Sequence, residues 1–92
     1  MNALELIKEK FKNDSFATSL DIRLDELTEV SVKMHMKLTP SMNNFHGMPH
    51  GAAIFALSDA AFSVLGNNRN NISVAINCSI NFLSSPKPDA IL

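Results

Sequence analysis

From Val30 to Leu38 apolar and polar residues alternate without a break. Val30, Val32, Met34, Met36 and Leu38 fall on one face of an extended chain, and Ser31, Lys33, His35 and Lys37 fall on the other. A strict period of two predicts a strand with one buried and one solvated face, and places His35 in solvent beside the two lysines. A shorter alternation precedes it, with Leu20, Ile22 and Leu24 against Asp21, Arg23 and Asp25, and predicts a first strand joined to the second by a turn over Glu26 to Thr28. Residues 2–12 follow a different rule: Leu4, Ile7 and Phe11 stand three and four apart among Lys8, Glu9 and Lys12, the spacing of an amphipathic helix. Asn13, Asp14 and Ser15 supply a turn after that helix.

Pro40 lacks an amide donor and biases Thr39 toward extended geometry, so the long strand ends there. A loop of small and polar residues, Ser41 to Pro49, leads into Ala52 to Leu65, where nearly every residue is apolar. A helix that is hydrophobic all round belongs in the middle of a fold, and the buried face of the Val30–Leu38 strand is the natural surface for it to cover. Gly66 is placed to end the helix, with an exposed loop through Asn71. Ile72, Val74, Ile76, Cys78, Ile80 and Phe82 then alternate with Ser73, Ala75, Asn77, Ser79 and Asn81, a third strand broken by Ser84 to Asp89. Ala90-Ile91-Leu92 reads as the opening of a further strand. The order is helix, strand, strand, buried helix, strand, an α+β arrangement in which three strands are few for so apolar a helix.

Ninety-two residues, 46% hydrophobic and 18% charged, have room for one domain with a single core, spanning residues 1–92. Eight basic and nine acidic residues give a net charge of −1, and the basic residues are scattered, so no electrostatic footprint for nucleic acid exists. The absence of Trp and Tyr argues against base-stacking platforms. The longest apolar run, Ala52 to Leu57, falls far short of the ~20 residues that cross a bilayer. Met1 to Lys12 lacks the apolar stretch and cleavage site of a signal peptide, which makes the cytoplasm the default location. Cys78 stands alone, so neither an intrachain disulfide nor a cysteine metal site can form; on the inward side of its strand it reads as a buried, inert thiol.

Candidate chemistry gathers at the start of the apolar helix. Amides after Gly51 have no partner within the helix, and the macrodipole adds partial positive charge there, so Gly51 or Ala52 could donate to a carbonyl oxygen; equally, Gly51 could serve only the tight turn into the helix. His46 and His50 are four apart, but Gly47 and Pro49 make this segment a loop, and no third ligand is evident, so no metal site is expected. His50 reads as a structural hydrogen-bonding residue. Asp59 is the anomaly, a carboxylate on an apolar helix that is costly to bury unless it is paired, hydrogen-bonded or protonated. It lies eight residues past Gly51, about 12 Å along a helix, too far for both to hold one carbonyl within a chain. A two-fold dimer with antiparallel helices could bring Gly51 of one copy to Asp59 of the other, or Asp59 could be capped locally by Ser58 or Ser63. Phe45, Phe55 and Phe62 read as core or pocket wall.

Asn44-Phe45-His46-Gly47-Met48-Pro49-His50-Gly51-Ala52, then Leu57-Ser58-Asp59-Ala60-Ala61-Phe62, then Ile80-Asn81-Phe82-Leu83, resemble the PaaI-type acyl-CoA thioesterases of the hotdog fold in order and spacing. The resemblance runs from about Ser19 to Leu92. It implies an antiparallel sheet wrapped around a long central helix, two chains pairing to share sites, often as a dimer of dimers, and hydrolysis of a small acyl- or aryl-CoA thioester. Coenzyme A is then part of the substrate, with no metal or redox cofactor. Asp59 matches the family's catalytic carboxylate, a general base or nucleophile. Gly51 matches the glycine whose amide polarises the thioester carbonyl, Asn44 the loop residue that holds substrate or water, and His50 the histidine that orders this corner. His46, Ala52, Phe55 and Phe62 are the matching candidates for the substrate wall. Ala52 stands where many relatives have a second glycine, and Ala75 near where some carry a hydroxyl. Family members continue for three more strands, on the order of 40 residues, so the C-terminal strands are expected to be missing from these 92 residues. A hotdog module that dimerises without hydrolysing anything, or an inactive remnant of such a domain, is the alternative.

Overall fold

The computed structural model describes residues 2–67 and 86–92. The third strand read from Ile72 to Phe82, with Cys78, and most of the loop after Gly66 lie outside these residues. Helix α1 (Ala3–Phe11) starts where Asn2 Oδ1 accepts the Glu5 N–H at 2.9 Å, which satisfies one of the amides left open at a helix start. Its apolar stripe buries Ile7 against Leu27 and Val64. A short helix α2 (Ser15–Ser19) follows, capped by Asp14, whose Oδ1 accepts the Ala17 N–H at 3.0 Å.

That second helix replaces part of the strand predicted from Leu20. It ends with Asp21 in the left-handed region at φ 54°. The Asp21 N–H bonds to Thr18 O and the Ile22 N–H to Ala17 O, each at 3.0 Å, which is the paired closure of a Schellman motif. Strand β1 (Arg23–Leu27) therefore begins three residues later than the alternation suggests.

Strand β1 pairs antiparallel with β2 (Val32–His35), with Arg23 opposite His35 and Leu27 opposite Val32. Between Leu24 and Glu26 the register shifts, so Asp25 is the extra residue of a β-bulge. The turn occupies Thr28 to Ser31, where Thr28 Oγ1 accepts the Ser31 N–H at 3.0 Å and lies 2.8 Å from Ser31 Oγ. Val30, expected on the buried face, stands at the tip of this turn and is 79% exposed; the chain has already left extended geometry there.

The rest of the alternation matches the burial. Met36 and Leu38 are fully buried, each contributing about 1.5–3 kcal/mol by removal of apolar surface from water. Here the chain changes partner from β1 to the C-terminal residues: the Met36 and Leu92 backbones exchange hydrogen bonds of 3.1 and 2.9 Å, and the Leu38 N–H bonds to Ala90 O at 2.8 Å. Ala90 to Leu92 thus lies antiparallel beside Met36 to Leu38, in the extended form read from its sequence.

A 3-10 turn over Pro40–Met42 and a loop lead to helix α3 (Gly51–Gly66), which packs on the buried side of the β2 segment. Ala53, Ala56, Ala60 and Val64 form its buried stripe, and their mostly small side chains leave room for Met36, Leu38 and Met42 between helix and strands. The helix runs one residue beyond the expected stop; Asn67 caps it, with its Nδ2 donating to Ser63 O at 2.7 Å. The expectation that α3 is enclosed on all sides is corrected: Ala52, Ser58, Asp59 and Phe62 are exposed. Strands cover one face of the helix, so its apolar composition does not translate into burial all round. Among the described residues, no helix is long and apolar enough to cross a membrane.

Candidate active site

The loop before α3 is organised by Asn44. Its Oδ1 accepts the His46 N–H at 2.9 Å and the Met48 N–H at 3.2 Å, while its own N–H bonds to Met48 O at 2.7 Å. Asn side chains close turns in this way because a carbonyl two bonds from the backbone reaches the next amides. Gly47 takes φ 78° at the tip, a conformation that glycine adopts without steric cost. Asn43 pairs with Pro49 across the base of the loop. Phe45 is carried outward, 93% exposed, with its ring centroid 3.9 Å from that of His46.

The loop delivers His50 as the N-cap of α3, with φ −71° and ψ 135°. The His50 N–H bonds to Met42 O at 2.7 Å, which fixes the helix start to the end of the 3-10 turn. Two helix-start amides are then taken by the same residue: His50 Nδ1 accepts the Ala52 N–H at 3.0 Å and His50 O accepts the Ala53 N–H at 3.0 Å. An imidazole that accepts at Nδ1 carries its proton on Nε2. The amide of Gly51 has no acceptor among the described residues. Of the two donors considered from sequence, Ala52 is committed to the cap and Gly51 is open, at the positive end of a sixteen-residue helix.

Asp59 lies two turns further on, about 12 Å along the axis. It is exposed, with no hydrogen bond or ion pair among the described residues. The view of Asp59 as a buried carboxylate is therefore corrected: it projects from the uncovered side of α3, with Phe55, half-buried, four residues before it and Phe62, 50% exposed, three residues after it. Neither Ser58 nor Ser63 caps it. Asn44 orders the loop, and His50 and Gly51 stand together at the start of the helix it feeds; Asp59 stands apart from them on the same helix. Ala52 and His46 are exposed beside the corner.

His35 also departs from its expected solvated state. Its Nδ1 lies 2.7 Å from Asp25 Oδ2, and both side chains are a little under half exposed. The bulge turns Asp25 toward the neighbouring strand, and no sequence pattern marks that bulge. Among the described residues, no three His, Cys, Asp or Glu side chains converge as metal ligands would.

No protein-family model matches the chain. Acyl-coenzyme A thioesterase PaaI of Escherichia coli K12 is 34% identical over 73 residues, which are 79% of this chain and 52% of that protein. The structure of the Escherichia coli PaaI protein, from the phenylacetic acid degradation operon, superposes with a TM-score of 0.88 at 29% identity, covering 97% of this chain and 64% of the other. A thioesterase family protein from Silicibacter pomeroyi superposes with a TM-score of 0.82 at 16% identity, covering 96% and 67%, and speaks for the fold alone. The chain spans about half the length of the curated relatives it matches. The chain shares an α+β, hotdog-like fold with these solved structures, and over the residues matched its sequence is similar to the PaaI-type thioesterases.

Proposed function

We propose that this chain hydrolyses small acyl- or aryl-CoA thioesters at a site shared between two copies. The observation that carries the reading is the division at the start of α3: His50 occupies the Ala52 and Ala53 amides and leaves the Gly51 amide for a ligand. A thioester carbonyl oxygen placed there gains a hydrogen bond that strengthens as negative charge develops on it. Asp59 of the second copy then acts as general base. It takes a proton from water as the water oxygen bonds to the carbonyl carbon; the C–S bond breaks, and the proton leaves with the CoA sulfur as a thiol. The products are a carboxylic acid and CoA.

The separation of Gly51 from Asp59 along one helix requires the second copy. The open side of α3, with Phe55, Asp59 and Phe62, supplies a face for it, and two antiparallel α3 helices would bring each Asp59 toward the other copy's Gly51. Asn44 and His50 act as positioning residues that hold the corner, and His46, Phe55 and Phe62 line the acyl group. The decisive experiment is turnover of an acyl-CoA panel by the full chain and by Asp59→Asn, with mass measured by light scattering. Loss of turnover in a variant that still pairs is the expected result. Unchanged turnover removes Asp59 from the mechanism, and a chain that pairs but leaves every thioester intact is an assembly module rather than an enzyme.

A further inference from the structure

A second cluster of polar side chains lies on the outer face of the β1–β2 hairpin, on the side of the strands away from α3. Arg23 and His35 stand directly opposite in register, and Lys37 is two residues beyond His35, so all three side chains share one face. Together with Asp21, Leu24 and Asp25 they line a cleft of about 380 Å³. The bulge at Asp25 brings its carboxylate to His35 Nδ1 at 2.7 Å, which fixes the ring and leaves Nε2 on the opposite edge.

Each acid of the cleft has one partner among the described residues, Asp21 with Arg23 and Asp25 with His35. Among the described residues Asp21 accepts only from Arg23 Nε, at 2.6 Å, so the two terminal nitrogens of the guanidinium remain. The Lys37 ammonium has no ion pair among the described residues, and the charged form of the imidazole, with Nδ1–H on Asp25, offers Nε2–H to a ligand. Arg23 and Lys37 supply two cationic side chains and the charged imidazole a third donor, a set that suits the three terminal oxygens of a phosphate better than the two of a carboxylate, and a guanidinium edge matches two of them at once. The two acids are engaged in orienting Arg23 and His35, and they do not converge with His35 as metal ligands.

We propose that this cleft binds a phosphate dianion, either inorganic phosphate or the phosphomonoester of a nucleotide, with Arg23, His35 and Lys37 as its ligands. The site is separate from the Gly51 corner and does not depend on the thioesterase reading. The test follows the His35 ring resonance of the full chain by NMR during titration with inorganic phosphate, with acetate, with CoA, which carries a 3′-phosphomonoester, and with 3′-dephospho-CoA, which does not. Saturable movement with phosphate or with CoA is expected, and the tighter of the two identifies the source. Arg23→Gln and Lys37→Gln should each weaken it about tenfold, the loss of one charge-assisted contact. Lys33→Gln, whose ammonium pairs with Glu26 at 3.4 Å outside the cleft, should leave it unchanged. A His35 resonance that moves with neither phosphate nor CoA, acetate acting as strongly as phosphate, a response to CoA that exceeds the response to phosphate and is matched by dephospho-CoA, or equal weakening by all three variants would each overturn the proposal.

Discussion

His50 Nδ1 accepts the Ala52 N–H at 3.0 Å, and this contact decides which amide at the start of α3 is available. Histidine is an unusual N-cap; Ser, Thr, Asp and Asn are the common ones. His50→Ala removes the acceptor and should destabilise the chain by about 1 kcal/mol, seen as a lower Tm. His50→Asn restores a cap and should recover most of that loss. If His50 serves only to hold this corner, activity should return with the cap in His50→Asn. Activity that stays lost while stability returns would give the imidazole a further task.

Gly47 tests the loop. Its φ of 78° is the reason for glycine there, because a Cβ built on it meets nothing within 4 Å. Gly47→Ala should therefore cost about 1 kcal/mol from backbone strain alone, without displacing neighbours, and Gly47→Asn should cost less, since Asn tolerates the left-handed region. Urea melts of the three chains give the order. An alanine variant as stable as the parent would mean that the loop relaxes to another form at no cost.

At Asp21 the left-handed conformation is held by a residue with a side chain, φ 54°, where a Schellman closure usually carries glycine. Asp21→Gly should leave stability unchanged or raise it by up to about 1 kcal/mol, because the exposed Arg23 contact that it removes contributes little. Asp21→Val places a β-branched residue at positive φ and should lose about 1–2 kcal/mol. Thermal melting distinguishes the two signs.

Much of this architecture was legible in the sequence, for physical reasons that differ by element. The strict alternation around Met36 and Leu38 reports a pleated surface with one wet face, and those two residues are fully buried. The extent of α3 is readable because Pro49 and Gly66 bound a stretch in which nearly every residue is apolar. Helix α2 is not, since five residues are too few for a helical period to show, and Asp14-Ser15 serves a turn as well as a cap. The bulge at Asp25 depends on cross-strand pairing, so the His35 contact could not be foreseen. The exposure of Asp59 was missed because a composition that is apolar all round does not say which face the strands cover.

The core prediction concerns Met36, fully buried between the strands and α3. Met36→Ala leaves a cavity and should cost about 2–5 kcal/mol, whereas Met48→Ala on the partly exposed loop should stay within about 0.5 kcal/mol. Chemical denaturation measures both; a small loss at Met36 would show that neighbours collapse into the space.

The sharing of the site between copies can be tested by mixing two inactive chains. Gly51 is the first residue of α3 and follows a residue at ψ 135°, so Gly51→Pro fits: proline is favoured at a first helical position, and the extended residue before it is what proline requires. The substitution removes the amide hydrogen and little else. Under the shared-site reading, Asp59→Asn and Gly51→Pro are each inactive as homodimers, but a mixed dimer has one site with Asp59 from the second chain and the Gly51 amide from the first. Random exchange makes half of the dimers mixed, with one intact site of two, so activity should return to about a quarter of the parent's. Unfolding and refolding the two variants together, then assaying thioester turnover, measures it. If base and amide donor instead came from the same chain, no mixed dimer would hold an intact pair, and the mixture would stay as inactive as its parts.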